Sequence, residues 1–476
     1  MTDGLNMQHS LSISYLLRQQ NSRQLIILLL IFLVDLKAIM GKSPVWSLVP
    51  ILLMGLFLII FAIRRASISH IILPRIVHPY TLLFLLVYVG LVCIAVIRTN
   101  SFLETALGGI IFSVKSFLAV SVSIYLLMRF YQQPVRHHRI LSARLAHSIL
   151  LGLSMYLGLQ IAGGLLLPGY TGELNRGVIA GALGFRLPFS SFPLSGGHPN
   201  SVGVIGGVLF VLAALSWWFF DRREKNHLII YGAGLISLII MVVADSRGTI
   251  LNAFLGAGLV IGLQWIGKSR WLLVFIWLVP FAQLGMLAGM KAIANSSVGT
   301  QLSRGKKDLA TGNSRAYIYQ YSFEHLADLQ NEHLYGYGEY GPYKAGFIWK
   351  YIDKFEVGPQ ELTRIDIILL SVSHNAALQI IFDSGYIGLF IFLLSLFLCF
   401  KDGIWLYEHQ HPIGMVLVGF VLYYVLSGIT ESASGRYNEA YYLILIVMLL
   451  TMAMARNSLL LMAFSPLNRK VMPQHA

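Results

Sequence analysis

The chain has 476 residues, 56% hydrophobic and only 12% charged, and its apolar residues fall in blocks of roughly 16 to 25, the length a helix needs to cross ~30 Å of hydrocarbon. A soluble globular protein is excluded, and so is a β-barrel, whose strands would alternate polar and apolar positions. The formal charge of +14 would direct a soluble protein towards nucleic acid; here it follows membrane topology, and no nucleic-acid partner is expected.

The expected fold is all-α: a polytopic integral membrane protein with about 12 transmembrane helices, forming one domain over residues 1–476. The first 24 residues are polar and lead into the first span without a small-residue cleavage pattern, so that span is expected to be retained. Spans one to five are predicted at Leu25–Met40, Leu48–Ile63, Thr81–Ile97, Ala106–Phe130 and His147–Leu167. Charge is costly in hydrocarbon, so Asp35, Lys37 and Lys115 are candidates for function, and Asp35 and Lys115 read first as interhelical pairs or as groups reaching for the headgroups. A loop over 168–200 follows, with turn residues throughout and the basic residues Arg176 and Arg186. His198-Pro199-Asn200 closes it, where it caps the next helix or contacts a ligand.

Spans six to nine are predicted at Ser201–Phe220, Leu228–Ala244, Thr249–Ile266 and Trp271–Gly289. Between the seventh and eighth, Asp245-Ser246-Arg247-Gly248 is so short a turn that the Arg247 guanidinium is pinned near the membrane surface. Its planar fork suits phosphate oxygens there; reaching for headgroups or pairing with Asp245 is the structural alternative.

The long polar segment 291–372 holds eight of the 23 tyrosines. Within it Ser314 is placed to cap a helix starting at Arg315, with Tyr319, Phe323 and Leu326 on one face, and Gly336, Gly338, Gly341 and Pro342 then require turns. The segment ends at Ser373-His374-Asn375, where the chain re-enters the bilayer. An imidazole with an ordinary pKa near ~6.5 accepts a hydroxyl proton at neutral pH, or else serves as a structural donor. Spans ten to twelve are predicted at Ala377–Phe400, Pro412–Gly428 and Tyr442–Met454, with Glu431 and Arg436 expected to pair with each other in the last loop.

Arginine and lysine concentrate in alternate short loops (Arg64, Arg65, Arg75; Arg136, Arg139, Arg144; Arg222, Arg223, Lys225; Lys268, Arg270) and in the tail at Arg469 and Lys470. The positive-inside rule makes that side cytoplasmic, with both termini on it and the loops 168–200 and 291–372 outside. Cys93 and Cys399 both fall inside predicted spans, which leaves no disulfide framework and makes them packing residues. No cluster has metal-ligand spacing, so no metal or other cofactor is expected.

The Ser246-Arg247-Gly248 turn, the stretch around Arg315, and His374-Asn375 with Gly385 further along the same helix resemble the O-antigen ligase family, whose superfamily also holds repeat-unit polymerases and protein O-oligosaccharyltransferases. The likeness is concentrated in 245–255, 313–326 and 374–390. Family members often have Gly-Arg with a Trp four residues on, where this chain has Ser314-Arg315 and Tyr319.

The resemblance implies a glycosyltransferase in the bacterial inner membrane that uses no nucleotide sugar. It would move a glycan from an undecaprenyl-diphosphate carrier to a hydroxyl on a lipid-anchored or carrier-linked acceptor. It assigns His374 as the base, and Arg247 and Arg315 as the groups holding the diphosphate. Asn375, Asn200 and Arg186 are the remaining candidate substrate contacts, and the loop tyrosines either form an interfacial belt or stack on sugars. Two arginines would remove the need for a metal, and direct displacement would invert the anomeric centre. A polymerase differs from a ligase only in acceptor. A flippase for lipid-linked glycan is the rival from another class, though no paired halves with broken helices are visible.

Overall fold

Helices are the only regular elements among the residues described in the computed structural model: 12–34, 48–65, 79–98, 106–131, 138–167, 192–193, 199–244, 246–267, 269–278, 282, 315–350, 367–368, 370–432 and 435–463. In chain order they are α1 (Ile13–Arg18), α2 (Gln20–Leu33), α3 (Leu48–Arg65), α4 (Pro79–Arg98), α5 (Ala106–Tyr131), α6 (His138–Leu166), α7 (Pro199–Phe219), α8 (His227–Val243) and α9 (Arg247–Trp265). After the long polar segment begins come α10 (Arg315–Ala327) and two single turns, α11 (Glu332–Tyr335) and α12 (Gly341–Lys344). The bundle is completed by α13 (Ala376–Glu408), α14 (Ile413–Ser427) and α15 (Glu439–Ala463).

Seven helices, α4, α5, α6, α7, α9, α13 and α15, are long and apolar enough to cross a membrane, and α2, α3, α8 and α14 are shorter apolar helices. This is a multi-pass membrane architecture; the seven long helices overlap predicted spans three to six, eight, ten and twelve, and the shorter α2, α3, α8 and α14 overlap parts of spans one, two, seven and eleven, leaving the ninth. Most of that ninth span, Trp271–Gly289, lies outside the described residues, as do Asp35, Lys37, Arg186, His198, Asp245 and Ser314.

The centre of the bundle is α14, whose residues are buried along nearly its whole length, together with the first half of α15. A helix apolar on every face is a core helix. It packs against α7, α9, α13 and α15. Small residues permit the approach to α7: a side chain at Gly207 would run into the Tyr423 ring, whose hydroxyl donates to Val204 O at 2.9 Å. Close backbone approach of this kind is the usual packing device where lipid supplies no hydrophobic drive.

Two ion pairs join helices within the bundle. Lys115 on α5 meets Glu439 at the start of α15 at 2.9 Å, the interhelical pair anticipated for it. Asp402 on α13, 1% exposed, meets Arg456 of α15 and accepts from Thr81 Oγ1 at 3.1 Å. Cys93 and Cys399 are both buried thiols, in keeping with packing roles.

A candidate active site where α13 begins

The start of α13 is fixed by Asn375. It adopts an extended N-cap conformation, its side-chain oxygen accepts from Leu378 N at 2.9 Å, and its amide donates to Ile429 O at 3.2 Å. Both polar ends of the side chain, expected to contact substrate, are thus taken up by the fold, and the residue is 1% exposed.

His374, just before the cap, has φ 47°, a left-handed conformation uncommon for a residue with a side chain. Its neighbours hold it there. The Tyr319 hydroxyl from α10 is shared between His374 O at 3.0 Å and Ile429 O at 3.1 Å, and Gln379 Oε1 accepts from Ser373 N at 2.8 Å. The imidazole itself remains 37% exposed and so open to a ligand.

Helix α10 is described from Arg315 on, and its buried face (Ile318, Tyr319, Leu326) packs with Leu378, Ile381 and Phe382 of α13. That docking brings Arg315 to Glu431, with Nη2–Oε1 at 2.9 Å. The other Glu431 oxygen lies 3.7 Å from His374 Nδ1, too long for a hydrogen bond but within charge-pair range. The pairing expected between Glu431 and Arg436 does not occur. Gly435, at φ 59°, turns the chain between them, and Arg436 instead meets the 2% exposed Glu339 at 3.3 Å.

Burial pushes the Glu431 carboxyl up, but the Arg315 guanidinium and then His374 outweigh it and hold it down at about 2, from an ordinary 4.5. A depressed carboxyl stabilises the fold fully above its unfolded range, and that contribution is lost as pH falls from there towards 2. The difference in unfolding temperature between wild type and Glu431→Gln is therefore expected to be full at pH 7 and to shrink below pH 4.5. Thermal scans across that range check it, and a difference that grew on acidification would contradict the assignment.

Arg247 is the first residue of α9, after the short turn that follows α8. Its neighbour Gly248 faces the same turn as Glu431: a side chain added there would touch Thr430 Oγ1 at 3.7 Å. The N-terminal end of α7 abuts this place too, since a side chain at Gly203 would collide with Ser246. Asn200 is itself helical, inside α7, and lies at the same end of the bundle. The turn 428–431 is thus the hub: Arg315 and His374 meet on Glu431, Tyr319 and Asn375 bind Ile429 O, and α9 opens beside Thr430.

A second polar layer lies one turn deeper. Asp383 Oδ1 accepts from Gln379 Nε2 at 2.9 Å and from Gly341 N at 3.1 Å, while Oδ2 accepts from Tyr437 at 2.9 Å. Here α13 breaks at Gly385 (φ 74°, ψ −178°), which leaves Phe382 O and Asp383 O for Tyr337 N at 2.6 Å and Gly338 N at 3.1 Å. The long segment is in this way bonded into the helix that carries His374. The adjoining cavity of about 20 Å³, lined by Glu339, Asp383, Arg436 and Tyr437 among others, has room for a water and not for a sugar.

Sequence reasoning did not single out Tyr319 as a strut, nor Gln379, Asp383 and Tyr437. Asp383 carried a usable signal, an ionisable group inside a predicted span, the same feature that drew attention to Lys115. Among the described residues no group of three or more His, Cys, Asp or Glu is arranged to hold a metal ion.

No curated protein matches the chain. Residues 232–393, about a third of the chain, match the sequence model of a family described as O-antigen ligase. This stretch is therefore similar to O-antigen ligases, in accord with the resemblance read from the motifs, and it contains Arg247, Arg315 and His374.

Proposed function

We propose that the chain is a membrane glycosyltransferase of O-antigen ligase type, acting on the outer face of the bacterial inner membrane. The observation that carries this reading is the convergence of Arg315 and a solvent-accessible His374 on Glu431, beside the opening of α9 that carries Arg247. The hub offers the Arg315 guanidinium and, beside it, the N-terminal N–H groups of α9, which suit a diphosphate, with Arg247 proposed to join them. It also offers an imidazole, which suits a hydroxyl.

A polyprenyl-diphosphate-linked glycan is already activated, so the protein's tasks are to ready the nucleophile and stabilise the leaving group. His374 takes the acceptor O–H proton, and the oxygen's electron pair forms the new bond to the anomeric carbon. The bond from that carbon to the phosphate oxygen breaks on the opposite face, and its electrons depart with the undecaprenyl diphosphate, whose added negative charge Arg247 and Arg315 neutralise. A single displacement inverts the anomeric centre. Asn375 sets the start of α13, and Asn200 and Arg186 are proposed to contact the saccharide.

The test is transfer of labelled glycan from undecaprenyl diphosphate by purified protein in detergent, where no gradient exists. Transfer separates this reading from a flippase, which would show none. In the same assay Arg247→Lys is expected to lose about 10-fold or more, because a point charge does not reproduce the guanidinium fork. Undiminished turnover would assign Arg247 to the headgroups.

A further inference from the structure

The Arg315–Glu431 pair has a feature that a purely structural ion pair does not need: both side chains keep access to solvent, at 20% and 28%, as does His374 at 37%. Glu431 presents a planar anionic oxygen to the very guanidinium that the proposed function assigns to phosphate. Its second oxygen is already turned to the imidazole. A carboxylate and a phosphate offer a guanidinium similar bidentate geometry, and the phosphate carries more charge.

We infer that Glu431 is a positioning residue that changes partner during turnover: it holds Arg315 while the site is empty, yields it to the donor diphosphate, and then serves His374 alone. This rests on the proposed function and deepens it. With Arg315 on phosphate, the partner left to the carboxylate among the described residues is the imidazole, whose Nδ1 lies 3.7 Å from it. A carboxylate at Nδ1 fixes the tautomer with the proton on Nδ1 and leaves Nε2 as the acceptor for the hydroxyl proton. The imidazolium formed when that proton arrives has its counter-charge beside it. Donor arrival and readiness of the base are thereby linked through one side chain, so the base is fully supported only when there is a glycan to transfer.

The experiment is a double-mutant cycle on the full-length protein, using Glu431→Gln, Arg315→Ala and the pair. Binding is read with undecaprenyl diphosphate in detergent and turnover with labelled glycan. Exchange predicts that Glu431→Gln binds the diphosphate about fivefold more tightly, the size expected for releasing a part-exposed ion pair. It also predicts a kcat at least about tenfold lower, since the imidazole loses its support. In the Arg315→Ala background the same substitution should leave affinity unchanged. Equal tightening in both backgrounds would mean simple charge repulsion and would overturn the exchange, as would affinity that is unchanged or weaker in Glu431→Gln alone. Failure of the proposed function looks different: wild type would then not bind undecaprenyl diphosphate, or would transfer no glycan.

Discussion

His374→Asn is expected to abolish glycan transfer, by at least about 100-fold, while leaving the protein folded and inserted. General-base assistance of this kind is worth about 10²–10⁴, and among the described residues His374 is the imidazole that meets Glu431. Asparagine is the informative replacement because of the backbone. His374 sits at φ 47°, a conformation that asparagine, like histidine, tolerates better than most residues, alanine included. The bonds that hold this stretch, Tyr319 to His374 O and Gln379 to Ser373 N, involve main-chain atoms and survive the substitution. A lost activity in His374→Asn with an unchanged unfolding temperature isolates the imidazole. Transfer within tenfold of wild type would remove His374 as the base.

The membrane character and the placement of the long apolar helices were legible because apolar runs of this length have few other uses. Arg247 and His374 were each legible alone, as polar groups at the membrane edge where polarity costs most, and Arg315 through the resemblance of its motif. Their connection was not. Arg315 and Glu431 are 116 residues apart, and a short loop containing both Glu431 and Arg436 makes the local pair the natural expectation. Only the docking of α10 onto α13 supplies a competing cation, and Gly435 then turns Arg436 towards Glu339. Asn375 illustrates the converse: its position beside His374 invites a substrate role, but the same position is an N-cap, and the first-turn N–H of Leu378 claims its oxygen.

Gly385→Ala is expected to do damage of a different kind, a loss of at least about 4 kcal/mol in stability, the range reached when a buried network and its backbone are broken together. The residue has φ 74° and ψ −178°, a region essentially confined to glycine, and a Cβ there would collide with the Leu334 carbonyl across the chain. Relief requires either straightening α13, which withdraws Phe382 O and Asp383 O from Tyr337 N and Gly338 N, or lifting the 334–341 stretch off the helix. Both routes undo the Gly341–Asp383–Tyr437 contacts and loosen the Gln379 side chain that holds Ser373 N. The damage therefore reaches His374 from eleven positions away without touching it, and transfer should fall together with thermal stability. Gly232→Ala on α8 is the matched control, because a side chain there meets open space; it should leave unfolding temperature and transfer as in wild type. If Gly385→Ala behaved like that control, the broken helix would not be what seats the long segment over the site.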